Sequence, residues 1–175
     1  MKRFALLTVA ILGLALSAAA QEEKGYKFTD NNEVKTVPIT NQFRSGTCWC
    51  YSTLSFIEEE IMRAGGEQMT LSQMWVVRHA YFEKAIKYVR LHGHLNFAVG
   101  GAAHDVTEMI AKYGIVPREV YTGQNYGTEL PEFGEIDAVL KGYMDALLSL
   151  MSLYGQSVQV LQLLLSRLKR FVHLS

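Results

Sequence analysis

Little in this chain can staple it together or break it up. Two cysteines, both within Cys48-Trp49-Cys50, are too few for a disulfide framework or a tetrahedral metal site. Only three prolines and 19% charged residues argue against a disordered chain. Net charge is missing too: 17 Lys and Arg face 17 Asp and Glu. That removes the electrostatic footprint of a nucleic-acid binder, and no such partner is expected. Internal repeats are absent. What is present is a chain of 175 residues, 49% hydrophobic, long enough for one domain with a real core and short for two.

The neutral total hides three pieces. Residues 1–20 carry Lys2 and Arg3 and no acid, residues 21–145 hold 12 basic against 17 acidic side chains, and from Ala146 onward no acid occurs. The first piece reads as a secretory signal: a basic start, an apolar run from Phe4 to Leu16, then Ser17-Ala18-Ala19-Ala20. The run is short for a hydrocarbon core of ~30 Å, so cleavage before Gln21 and export to the periplasm or medium are expected. The last piece is rich in Leu and Ser, with 21 uncharged residues from Ala146 to Ser166 before Arg167-Leu168-Lys169-Arg170. Its serines and glutamines make a membrane span a poor fit, and no membrane contact is expected of it. Leu161, Leu164, Leu165, Leu168 and Val172 would form a helical stripe. Two readings remain for this tail, a native amphipathic helix meeting a partner or membrane surface or an out-of-frame extension after a frameshift, and the abrupt loss of acids favours the second.

The middle piece is mainly helical by pattern. Ser45-Gly46-Thr47 is a turn and cap sequence, and Cys50, Leu54, Ile57 and Ile61 mark the buried face of a helix over 48–63. Ala64-Gly65-Gly66 stops it. Thr70-Leu71-Ser72-Gln73 fits a capping box opening a helix to about Arg90, with Met74, Val77, Tyr81, Ala85 and Tyr88 inward and Lys84, Lys87 and Arg90 on the other side. Val99-Gly100-Gly101 leads into a third helix with Val106, Met109, Ile110 and Tyr113 inward; Gly114 caps it and Pro117 follows.

Cys48 is the first candidate for chemistry. It falls on the first turn of its helix, where unpaired N–H groups and the dipole favour a thiolate. Gln42, six residues upstream across a glycine-containing turn, has an amide able to donate to an oxyanion on a carbonyl attacked by Cys48. The competing reading makes Cys48 a small buried apolar residue, the commoner fate of a free cysteine.

The surrounding string is more specific. Gln42-Phe43-Arg44-Ser45-Gly46-Thr47-Cys48-Trp49-Cys50-Tyr51-Ser52 resembles the nucleophile motif of papain-like cysteine peptidases: Gln, five residues, Cys-Trp, a small residue, an aromatic and Ser. Three stretches resemble further motifs of the same family, in order. They are Leu71-Ser72-Gln73, the glycine pair Gly100-Gly101, and Tyr113-Gly114-Ile115-Val116 followed by Tyr121. Asn41-Gln42, Val76-Val77-Arg78-His79 and Tyr88-Val89-Arg90-Leu91-His92-Gly93 look most like the aminopeptidase C and bleomycin hydrolase branch. The resemblance runs over about residues 27–145.

It implies an α+β papain-like cysteine proteinase fold, of which the portion here is the mainly helical first domain. It also implies amide hydrolysis of a peptide substrate through a thioester, without metal or other cofactor. By the same resemblance Cys48 is the nucleophile, and Gln42 with the Cys48 backbone N–H forms the oxyanion hole. Gly100 and Gly101 pair with the substrate backbone, and Trp49 packs beside them. Cys50 stands where the family usually has Ser or Ala, and its place on the apolar stripe makes it a buried structural thiol. A Cys48–Cys50 disulfide is not expected, because residues two apart on a helix point to different sides. Ala98 and Val99 stand where near relatives carry glycine, which would narrow the cleft.

The family's catalytic base, a His oriented by an Asn, comes from a second domain downstream, and none of His79, His92, His94, His104 or His173 matches its motif. A chain truncated before that base, unless completed by a second domain or an oligomer partner, is expected to turn over little. His92, His94 and His104-Asp105 form a conceivable metal set, but surface or structural histidines are the preferred reading. The alternative to a peptidase is an exported protein that keeps the cleft and binds peptides without chemistry.

Overall fold

Four helices make up nearly all the regular structure in a computed structural model that describes residues 35–125 and 127–154, with Gly25, Tyr26, Phe28, Thr29 and Ser166 besides. They are α1 (Cys48–Arg63), α2 (Gln73–Arg90), α3 (Ala103–Tyr113) and α4 (Gly134–Tyr154). Residues 1–34 and 35–175 are two separate units. Of the first, the Tyr26 and Phe28 rings lie 6.3 Å apart. The expected leader over 1–20, the tail stripe from Leu161 and His173 lie outside the described residues.

Helix α2 is the hub, packing against each of the other three, and α1 also packs on α3. It can do so because it is buried on more than one side: besides the expected Met74, Val77, Tyr81, Ala85 and Tyr88, it buries Val76, Ala80 and Val89. Helix α1 turns inward Cys50 and Leu54, with Ile57 and Ile61 packed on the core as the spacing predicts. Helix α3 buries Val106 and Met109 and half-buries Ile110 and Tyr113.

Two local expectations are corrected. The cap of α2 is Ser72, whose hydroxyl accepts from Trp75 N–H at 3.1 Å; Thr70 lies two residues too early to reach that turn. Lys84 does not point to solvent with Lys87 and Arg90. It sits i+3 from Tyr81 and i−4 from Tyr88, on the apolar stripe, and its ammonium is drawn inward to backbone carbonyls.

Helix α4 departs from the compositional break at Asp145, for it runs through that point to Tyr154. Leu140, Met144, Leu147 and Met151 recur at i, i+4, i+7 and i+11 and are all buried in the common core. Each such side chain contributes roughly 1.5–3 kcal/mol on leaving water, enough to hold the residues on both sides of Asp145 in one element. Polar ties add direction: Tyr81 Oη donates to Asp137 Oδ1 at 3.0 Å and Tyr88 Oη to Asp145 Oδ1 at 2.6 Å.

Candidate active site

The four motifs of the sequence fold into two pairs. One pair joins the nucleophile string at 42–52 to the loop at 98–101. The other clasps residues 71–73 to 113–121.

In the first pair, the turn ahead of α1 is shaped by its own side chains. Asn41 Oδ1 accepts from Phe43 N–H at 2.8 Å, and Ser45 N–H donates to Gln42 O at 3.2 Å. Phe43 (φ 45°) and Gly46 (φ 65°) both lie in the left-handed region, and for Phe43 that conformation is strained. Ser45 and Thr47 are buried with their hydroxyls 2.5 Å apart. Thr47 is the cap position of α1, yet its hydroxyl is spent on Ser45 and no side chain caps the helix. The first turn is therefore left open, with Cys48 exposed upon it.

Gln42 begins the same turn. Its Oε1 is shut from solvent and has no hydrogen-bond partner among the described residues. An amide with its oxygen turned inward carries its NH2 on the opposite arm, the arm that can donate.

Cys50 is the reverse of Cys48. It is 0% exposed, its Sγ lies 3.6 Å from Gln73 O, and burial pushes its thiol up to about 12. Both thiols are free. Cys50 is thus the inert structural thiol that its place on the stripe predicts.

The loop at 98–101 is tied to α1 by Trp49, whose indole Nε1–H donates to Val99 O at 3.0 Å. The two glycines that follow differ. A Cβ on Gly101 would lie 2.6 Å from Trp49 Cε2, so only glycine lets the backbone close on that ring. A Cβ on Gly100 would meet nothing within 4 Å. The space beside Gly100 is open. Val99 turns its side chain to the turn before α1, where it would collide with a Cβ on Gly46 at 2.6 Å.

The second pair is closed. Ser72 N–H donates to Val116 O at 2.9 Å and Arg118 N–H to Thr70 O at 2.8 Å. Ser72 Oγ donates to Tyr121 O at 2.6 Å, and Leu71 N–H to Glu58 Oε1 at 2.6 Å. Glu58 and Gln73 are each only 3% exposed. Burial raises the Glu58 carboxyl above its usual range, while the Leu71 N–H and the charge of Arg118 pull it the other way.

The histidines do not converge. His79 holds Trp75 O at 2.8 Å through Nδ1 and stacks between Trp75 and Tyr113. His92 and His94 are exposed on the turn after α2, and His104 is exposed beside Asp105 in the first turn of α3. No three His, Cys, Asp or Glu side chains gather into a metal-holding group among the described residues.

Two participants, Lys84 and Glu58, escape the reading of motifs. A signal exists for both. Lys84 interrupts the apolar stripe of α2, and Glu58 lies i+4 from Leu54 and i−3 from Ile61 on that of α1. A charged residue on a buried stripe needs a partner.

The structure thus brings together an exposed cysteine on an uncapped helix start and a glycine pair held by the next tryptophan, an arrangement in keeping with the resemblance to papain-like cysteine peptidases. Comparison with known proteins agrees. The Peptidase C1-like family model matches residues 4–152, and the chain belongs to that family. Aminopeptidase W of Lactobacillus delbrueckii subsp. lactis is 30% identical over 49% of this chain and 24% of its own length. Aminopeptidase G of the same organism is 28% identical over 51% of this chain and 24% of its own length. PepW from Lactobacillus rhamnosis shares the fold at a TM-score of 0.55 and 21% identity, covering 90% of this chain and 39% of that one. The chain spans about a quarter of the length of the curated relatives it matches.

Proposed function

We propose that this chain carries the nucleophile domain of an exported cysteine peptidase of the aminopeptidase type. The observation that supports it most is the contrast between Cys48 and Cys50: one thiol exposed on an uncapped helix start, the other sealed two residues on. The Cys48 thiolate attacks the substrate carbonyl carbon, and the resulting oxyanion is met by the Cys48 backbone N–H and the Gln42 amide. Collapse of that intermediate expels the amine, which takes up a proton, and leaves a thioester on Cys48 that water hydrolyses. Gly100 and Gly101 hold the peptide backbone during these steps.

The base and acid of the cycle come from outside the described residues. His79 is committed to Trp75 and Tyr113, and no histidine shares the 42–52 turn. The described residues therefore hold a poised nucleophile that turns over little, and a partner domain supplying a His and an Asn completes the cycle.

The test is labelling of the purified chain by a dipeptidyl epoxide, with the modified residue located by mass spectrometry. Rapid modification of Cys48, none of Cys50 and none in Cys48→Ala is the expected result. Slow modification of Cys48 at the rate of an unstructured thiol would overturn the reading and leave a peptide-binding protein without chemistry. The N-terminus of the exported protein is expected at Gln21; retention of residues 1–20 in a cell fractionation would remove the export part.

A further inference from the structure

We infer that Lys84 is a positioning residue for substrate: it sets the peptide planes of the 98–101 wall so that the Gly101 N–H is offered to a bound peptide. The inference rests on the reading of Cys48 and the glycine pair given above. Three consecutive carbonyls of this loop are taken. Lys84 Nζ donates to Ala98 O at 3.0 Å and to Gly100 O, while Trp49 Nε1–H donates to Val99 O between them. These three bonds come from side chains and not from a backbone ladder, one from Trp49 on α1 and two from Lys84 on α2.

A trans peptide points its C=O and the following N–H in opposite directions. With Gly100 O drawn to Lys84, the Gly101 N–H is aimed away from Lys84. Gly101 has no room on its side-chain face, where an added Cβ would lie 2.6 Å from Trp49 Cε2. The ammonium is fixed from below as well, 5.6 Å over the centroids of both Trp49 and Tyr81. Burial lowers its proton affinity, and the carboxylates of Asp105 and Asp137, which face it from α3 and α4, act against that loss. An ammonium kept in a half-buried place with two carbonyls and two ring faces is spent on holding the loop.

The experiment compares two reagents on the full chain. Iodoacetamide reaches Cys48 without pairing with the wall; a dipeptidyl epoxide must pair with it. In Lys84→Met, which keeps the stem and removes the charge, the epoxide rate on Cys48 is expected to fall about tenfold, the scale of a lost charge-assisted hydrogen bond. The iodoacetamide rate should stay within about a factor of two, and Lys84→Arg should recover much of the epoxide rate. A role confined to stability would move both rates together or neither, and either result overturns the inference. Should Lys84→Met fail to fold, the ratio of the two rates in Lys84→Gln and Lys84→Arg decides: a ratio equal to wild type in both overturns it. Wild-type protein that shows no preference for the epoxide fails at the earlier step and overturns the nucleophile reading with it.

Discussion

The pairing of 42–52 with 98–101 and the pairing of 71–73 with 113–121 are built from the same materials and finished in opposite ways. Each joins a helix start to a loop through short hydrogen bonds. At the clasp, the cap hydroxyl of Ser72 serves both its own helix and Tyr121, Leu71 N–H is met by Glu58, and the polar groups are buried with their partners. At the cleft wall, the cap hydroxyl of Thr47 is diverted to Ser45, the first turn of α1 stays open, and Gly100 faces empty space. A fully satisfied motif stabilises a fold. A motif with unspent donors, held rigid from behind, is one that waits for a ligand.

The largest expected effect is a pH dependence of stability set by the buried thiol of Cys50. Cys50 keeps its proton in the folded state up to about 12, whereas an unfolded thiol loses it near 9.0. Between those values the folded state binds more protons. Stability is therefore full below about pH 9 and falls as pH rises through this window, by up to about 4 kcal/mol. Urea titrations from pH 8 to 12 should show the fall, and Cys50→Ala should flatten it. An unchanged slope in that variant would mean the burial of Cys50 is not what is being titrated.

Next comes the clasp. Glu58→Ala leaves Leu71 N–H buried without an acceptor and should cost about 3 kcal/mol by urea unfolding, while Glu58→Gln keeps an oxygen there and loses far less. Iodoacetamide reactivity of Cys48 in the folded fraction should not change, since Glu58 belongs to the other pair. A loss of that reactivity would show the two regions to be one.

Gly101→Ala tests the wall from its own side. The new methyl meets the Trp49 ring, which must move, at a cost of about 2 kcal/mol. Dipeptidyl epoxide labelling should fall more than iodoacetamide labelling; Gly100→Ala, which meets no protein atom, should leave stability unchanged and slow only the epoxide. A modest loss is expected for Ser72→Ala, about 1 kcal/mol for a lost cap, with the Tyr121 loop loosened and Cys48 labelling unchanged. Thermal melts and parallel labelling would check it.

Much of the fold is legible in the sequence. The 3.6-residue spacing marks α1 over 48–63 and the inward stripes of α2 and α3, because burial on one face leaves a periodic trace. Cys48 and Gln42 are legible as candidates from the helix start and the amide upstream, the roles expected of them and of Gly100 and Gly101 are legible as a resemblance, and the structure adds why Gly101 has to be glycine. Helix α4 is hidden although Leu140, Met144, Leu147 and Met151 keep the same period. The loss of acids after Asp145 is a change in the exposed residues, and it masks the buried ones, which do not change.

The sequence by itself determined the apolar faces of α1, α2 and α3, where α1 starts and stops, and that Cys48 opens it, since each depends on residues within a few turns. Only tertiary structure decided which motif meets which, that Thr47 spends its hydroxyl on Ser45, and that Lys84 and Glu58 turn inward. The pairing of motifs and the inward turn of the two charged residues depend on carbonyls and amides brought from more than a dozen residues away. A side chain's local pattern carries no record of the partner that will satisfy it.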